Sequence, residues 1–545
     1  MIKRLFFCLF AWVMCSGLSV RAQEGLLPFF RSFLDGNLNK ITFPGPNEPG
    51  ASGRAADGNY KRINRAVLNQ WGLQLTRGKE EIGAFYLPEY IFSTQDGLLI
   101  EFEYIMMYTN AEEIGITDGI CMFLVDATTN EYIGSNLKYG AEGAGFGYTH
   151  RRSGHTDIRY GVTSITGMKG GYLAVALDQG HFKNWRFENY EMRNGIPYGD
   201  AGIANVQSAT YNTRSNVTIR GAAGRGEKVI TTSLKTHRIA EGRWGYPVLI
   251  TRHTGWDEKT GLEDPNSDGL RNKAGFMLNT QTGMYEQYVV PRIDNPFCIA
   301  GGKLFYHSDE SAYRKAIIAL EPNTIGGGFR ITVTIQHGTE KTVVIENYTY
   351  PSSLLYTENG IPAQFIPGEY PTITYYSNPP QTELALKTPE KLAIGFMAST
   401  GQLTSYTNII RNLRITPLYG ANAEDDIYNH RRGPVIVRPL DNDVAYRLVG
   451  NQPGASKDNL DLTSFRIWTD EKHCLGDGQF EHEEKGVGKW KYNPESGEMT
   501  FFPAKDVGGE AVIWYDIKSI HSPYVAEKYR SSLAKIVINF TDDEG

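Results

Sequence analysis

The sequence predicts an all-β protein built as two sandwiches, one large and one small. Three observations predict it. The 59 Gly, 32 Tyr and 25 Phe supply turns and aromatic strand residues in number. Apolar residues recur at a period of two, or in short unbroken runs, in segment after segment. No stretch of about 12 residues carries a convincing 3.6-residue period, so helical and coiled-coil architectures are excluded. At 545 residues the chain is also too long for one ordinary domain.

The elements follow in chain order. Lys3 and Arg4 precede an apolar run from Leu5 to Val20, which ends at Val20-Arg21-Ala22. This basic, apolar, small-residue order predicts an export signal over residues 1–22, with the mature chain beginning at Gln23. A run of about 16 apolar residues is short for a bilayer span, where roughly 20 are needed. No later segment is apolar enough to cross, so the mature chain is expected to be secreted or held at the cell surface. Removing the signal leaves 52 basic and 61 acidic residues, a net charge of −9. That balance gives no broad attraction to nucleic acid or anionic membrane. It also leaves Cys121, Cys298 and Cys474, too few and too scattered for a disulfide framework and without zinc-site spacing.

In Gly97 to Tyr108, Ile100, Phe102, Tyr104 and Met106 share one face of a strand. The segment from Phe329 to His337 alternates Ile331, Val333 and Ile335 with Thr332, Thr334 and Gln336. It leads through His-Gly-Thr-Glu into Lys341 to Thr349, predicting a hairpin. GICMFLVD, GYLAVALD and KLAIGFMA are continuous apolar runs, expected of strands covered on both faces. Ala312 to Leu320 fits a strand as well as it fits a helix. Apolar periodicity vanishes over Gly420 to Gly433 and resumes at Pro434, which predicts a linker over 419–433. The parts on either side, 23–418 and 434–545, have the sizes of a large and a single small sandwich.

Four segments of the large part resemble the bacterial form of the L-type (legume-type) lectin family. They are TDGICMFLVD (Thr117 to Asp126), GAEGAGFGY (Gly140 to Tyr148), GYLAVALDQGHFKNW (Gly171 to Trp185) and KLAIGFMASTGQLTSYTNIIRNLRI (Lys391 to Ile415). The resemblance spans roughly residues 25–417 and is least diagnostic between 187 and 390. It implies a concanavalin A-like jelly-roll sandwich and a glycan-binding function. It further implies a sugar site built from Asp118 as acceptor, a close backbone approach at Gly143 and Gly145, and an amide at Asn184. Phe182 would add stacking area or a carbonyl, and Gly401, Gln402 and Leu403 would form the specificity loop. Sugar hydroxyls donate and accept at once, which is why such a mixture suits them. Calcium is the implied cofactor, with Asp178, Phe182 and Asn184 as its oxygen ligands. Ala176 stands where plant members carry a manganese-binding glutamate, so manganese is not expected.

Plainer readings stand beside these. An Asp-Gly pair before an apolar strand is also what an ordinary turn looks like. Gly143 and Gly145 suit a tight turn without a ligand. Asp264 to Gly269 resembles the start of a calcium loop, but Gly275 replaces the closing Glu, and an exposed polar turn fits better. The basic run from His150 to Arg159 suits either an acidic glycan or a solvated loop.

Residues 434–541 resemble the cadherin-like, immunoglobulin-like repeats of bacterial surface adhesins. The segments that carry this are PVIVRPLDNDV, LDLTSFRIW, GKWKYNPESGEMTFFP and VIWYDIKS. In GKWKYNPESGEMTFFP, Trp490 and Tyr492 share a strand face and Phe501 lies opposite. Asp441 and Asp443 are candidate calcium ligands, and the resemblance implies a spacer.

The leading expectation is therefore a lectin-like adhesin. Two alternatives remain. A glycoside hydrolase on the same fold would need two carboxylates about 5–9.5 Å apart. The Glu-x-Asp-x-x-Glu string of β-glucanases is absent, and the nearest acidic run, Glu481 to Gly486, lies in the small part. A structural surface or fibril subunit would have lost the sugar site. Nucleophile-elbow, zinc-protease and phosphate-loop motifs are also missing.

Overall fold

A computed structural model describes residues 29–47, 63–93, 97–109, 118–133, 136–150, 165–179, 215–231, 236–254, 275–287, 293, 295–301, 311–323, 328–357, 381–385, 388–401, 405–418, 420–431, 433–449, 452–470, 472–505, 507–520, 530–531 and 533–540. The expected export signal, the Asp264 to Gly269 string and residues 151–159 of the basic run lie outside them. Among the described residues no helix is long and apolar enough to cross a membrane.

The large part is two eight-stranded antiparallel sheets. The back sheet runs, in spatial order, Glu340–Tyr350, Phe329–His337, Arg314–Pro322, Leu98–Tyr108, Tyr406–Pro417, Gly72–Thr76 and Val67–Asn69, with Phe29–Arg31 also paired to Tyr406–Pro417. The front sheet runs Met284–Gln287, Gly275–Asn279, Val248–His253, Asn216–Arg220, Gly171–Asp178, Gly119–Asp126, Lys391–Ser399 and Ile82–Ser93. Late strands thus sit beside early ones in both sheets, which closes the sandwich.

The period-two pattern explains the packing. Ile100, Phe102, Tyr104 and Met106 of the back sheet are buried against Ile120, Met122, Leu124, Leu173, Val175 and Leu177 of the front one. The continuous runs GICMFLVD and GYLAVALD are buried at every position because the front sheet is covered twice. Its outer face carries Cys121, Phe123, Ala174, Ala176 and Met397, packed under Tyr139, Phe146, Tyr148 and Tyr246. The Phe329–His337 hairpin forms as the alternation predicts, with register shifts near Val333, and Arg314–Pro322 is a strand.

The small part has its own core. A five-stranded sheet (Asp426–His430, Ala534–Phe540, Glu510–Ser519, Leu460–Asp470, His473–Cys474) faces a four-stranded one (Val435–Val437, Glu498–Pro503, Gly488–Asn493, Glu481–Glu484). Residues from both meet in one cluster. Trp490 lies opposite Phe501, with ring centroids 4.2 Å apart, and Tyr492 stacks on Phe465 at 3.8 Å.

The expected linker over 419–433 contains strands, Ala421–Asn422 and Asp426–His430, both paired to strands of the small part. Along Asp426–His430 the apolar Ile427 faces solvent at 69% exposure while polar Asp426 is buried, which inverts the usual pattern and hides the strand. Asp441 and Asp443 make different contacts. Asp443 is buried and accepts from Glu424 N and Tyr515 Oη, both at 2.8 Å, whereas exposed Asp441 pairs with Lys457.

Candidate functional site

The site begins with a register. Gly119, the first residue of its strand, pairs with Asp178 on one side and with Ser399 on the other. Asp178 pairs in turn with Asn216, and Asn216 with His253. Residues directly opposite in antiparallel strands share a face. Ser399, Asp178, Asn216 and His253 therefore form a polar row at one end of the outer face of the front sheet. All four are buried. Asp178 Oδ2 accepts from Thr218 Oγ1 at 3.1 Å. The Cys121 thiol is pushed well above its ordinary value, first by burial and then by the nearby Asp178 charge, with Arg220 opposing.

Asp118 sits directly before this row. Its side chain is 1% exposed and its carbonyl accepts from Gln179 N at 2.7 Å, so the backbone is held where the two strands meet. Gly119 adopts φ +147°, and a Cβ there would stand 2.0 Å from the Leu177 carbonyl oxygen. Only glycine allows that approach. The Asp-Gly pair is thus a strand entrance with a buried carboxylate, not an exposed turn.

The Gly-rich segment supplies the second wall. Gly143–Gly145 form one short 3-10 turn, closed by Phe146 N donating to Gly143 O at 2.9 Å. Phe146, at φ 53°, is fully buried in the outer-face cluster and anchors the turn. A Cβ on Gly143 would lie 3.9 Å from Asp118 Oδ2 and within 4 Å of no other atom among the described residues. The turn thus passes directly beside the buried carboxylate.

The third wall is the end of the Lys391–Ser399 strand. Ser399 Oγ accepts from Gly143 N at 2.6 Å. Gly401, half-buried, accepts from Glu80 N at 3.0 Å, which pins the start of the loop. Asp118, Asp178 and Gly401 lie at or just beyond the ends of neighbouring strands, and Gly143, in the turn that also holds Gly145, comes beside Asp118. Phe182, Asn184, Gln402 and Leu403 lie outside the described residues.

The Gly143 N–H is donated to Ser399. Sequence reasoning missed Ser399, Thr218, Asn216 and His253. Ser399 hides in an otherwise apolar run, and the other three fall in the stretch with no diagnostic motif. His150, expected within an exposed or glycan-facing basic run, is fully buried beside Tyr246.

Calcium was tested against these residues. Asp178 is the one expected ligand among those described, and its Oδ2 is engaged with Thr218. Among the described residues no group of three or more His, Cys, Asp or Glu is arranged to hold a metal ion. Ala176 is a buried apolar residue on the outer face. The described residues alone therefore do not make a calcium shell.

No family model matches the chain, and no curated protein matches it. Among solved structures, the metal-free lectin I-B4 from Griffonia simplicifolia aligns at 12% identity and a TM-score of 0.29, over 72% of this chain and 98% of that one. The legume lectin-like domain from Entamoeba histolytica aligns at 9% identity and 0.26, over 72% and 96%. The VIP36 exoplasmic/lumenal domain, in its Ca2+/Man3GlcNAc-bound form, aligns at 9% and 0.26, over 73% and 89%. At these values the functional reading rests on the residues of this chain.

Proposed function

We propose that the chain is an exported carbohydrate-binding protein, a lectin-like adhesin whose large sandwich carries the sugar site and whose small sandwich is an immunoglobulin-like spacer. One observation carries the reading. Gly119, paired with Ser399 on one side and Asp178 on the other, sets Asp118 at the end of the polar row, and the Gly143–Gly145 turn, tied to Ser399, passes beside its buried carboxylate. A carboxylate held in place accepts from paired sugar hydroxyls without reorganising, and a glycine wall lets a ring approach closely. In this reading Asn184 adds an amide, Phe182 adds a carbonyl or stacking face, and Gln402 and Leu403 select among sugars. Asp178 supports the corner from below, with Phe182 and Asn184 as its companions toward calcium.

The hydrolase alternative gains nothing from the acidic run at Glu481–Glu484. That strand is a sheet edge, and Glu481 is exposed and paired with Lys489 and Lys491. We place the boundary between the two units at Leu418–Gly420, before the first strand of the small part. The test is a glycan array probed with the chain in calcium and in chelator, followed by an assay for reducing sugar released from any bound glycan. Selective binding without release is expected. Release of sugar would favour the hydrolase, and an empty array in both buffers would favour a structural subunit.

A further inference from the structure

We infer that Ser399 is a positioning residue for this site, its hydroxyl tying the Gly143–Gly145 turn to the Arg77–Glu81 corner and so setting the wall opposite Asp118. The inference rests on the proposed sugar site.

The geometry is specific. Ser399 is fully buried, and its Oγ accepts from Gly143 N at 2.6 Å while lying 3.3 Å from the Glu81 carbonyl oxygen. A hydroxyl has one proton and two lone pairs. Its proton goes to the carbonyl and a lone pair takes the Gly143 N–H, so its orientation is fixed from both sides. The corner it reaches is itself braced. Thr400 N donates to Glu81 O and Glu81 N donates to Thr400 Oγ1, each at 2.9 Å. Glu81 Oε2 accepts from Arg77 N at 2.7 Å and Gly78 N at 2.8 Å, and Gly401 O accepts from Glu80 N at 3.0 Å.

Gly143 has no side chain with which to anchor itself, and at φ +66° it occupies a conformation that glycine holds no more firmly than its alternatives. Phe146 fixes one end of the turn. Ser399 fixes the other, and the turn keeps its place beside Asp118 only while both hold. The same corner holds Gly401 through Glu80 N, so the Ser399 hydroxyl ties the turn to the segment that fixes Gly401.

The experiment compares the wild-type chain with Ser399→Ala, Ser399→Cys and Asp118→Asn. Three quantities are read: affinity for a glycan bound by wild type, melting temperature, and hydrogen–deuterium exchange of peptides spanning Gly143. S399C keeps nearly the same volume while replacing a strong acceptor with a weak one, and serves if S399A does not fold. Both Ser399 variants should weaken affinity by about tenfold, speed exchange at the Gly143 peptide and leave the melting temperature of S399C close to wild type. Wild-type affinity in a Ser399 variant, with binding lost in D118N, would overturn the inference while leaving the sugar site standing. Unchanged exchange at Gly143 would overturn the tether itself. Failure of wild type to bind any glycan would remove the site, and with it the role assigned to Ser399, whatever the exchange result.

Discussion

Gly119 is the position where a single atom decides whether the site can form. A methyl there would meet the Leu177 carbonyl oxygen at 2.0 Å, and φ +147° is closed to side chains besides. Gly119→Ala must therefore part the Gly119–Asp126 and Gly171–Asp178 strands at the end that carries Asp118. We expect a loss of about 2–4 kcal/mol, read as a lower denaturant midpoint, whereas Gly36→Ala, also at positive φ (+76°) but with nothing within 4 Å of its added Cβ, should cost only the backbone strain of about 1–2 kcal/mol. Equal effects of the two would contradict the close approach. Asp118 was singled out in the sequence through the family resemblance, because an Asp-Gly pair before an apolar run reads locally as an ordinary turn, and the need for glycine at 119 shows only in the strand pairing. Ser399 was not. Its importance comes from a hydrogen bond to a residue 256 positions away, and no local pattern records such a pairing.

Strands with apolar alternation or unbroken apolar runs were legible for the same physical reason: each buries a face, and the burial writes a period into the chain. The Asp426–His430 strand shows where that logic fails. Its buried residue is an aspartate beside the phenol of Tyr515, whose Oη lies 2.8 Å from Asp443 Oδ2, 3.3 Å from Asp426 Oδ2 and 3.1 Å from the Pro439 carbonyl. One phenol proton serves only one of these acceptors, so burial favours the protonated form of the two carboxyls. Burial, against hydrogen bonds from Tyr515 and Tyr428, pushes Asp426 up to about 7, and burial pushes Asp443 in the same direction. An unfolded aspartate titrates near 4. Between about 4 and 7 the folded state keeps a proton that the unfolded state releases, so stability falls as pH rises through that window. Below it both states hold the proton, and above it neither does. We expect the small unit to melt at least ~4 °C lower at pH 8 than at pH 5, and Asp426→Asn to flatten the dependence. A melting temperature that rises from pH 5 to pH 8 would contradict it.

At the scale of the whole molecule, the two cores are separate clusters joined through a short, bonded junction. Arg414 donates to the Asn422 side chain and to the Ala423 carbonyl, Asn422 reaches Glu101, and Leu418 packs on Leu99. The boundary matters for any dissection. A fragment starting at Gly420 keeps the Ala421–Asn422 and Asp426–His430 strands and should unfold cooperatively. One starting at Pro434 loses both and should melt lower or not fold; equal stability of the two would refute the assignment of those strands to the small unit. The large unit carries the central claim, that the end of its front sheet is a sugar site with Asp118 at its heart. The most direct measurement is glycan affinity of the wild-type chain and of Asp118→Asn, with melting temperature as the folding control. The substitution keeps the size and removes a charge-assisted acceptor, at an expected cost of about 1–3 kcal/mol, which is roughly five- to 150-fold in affinity. Loss of binding with melting temperature preserved is the predicted result; unchanged affinity in a stably folded mutant would contradict the claim.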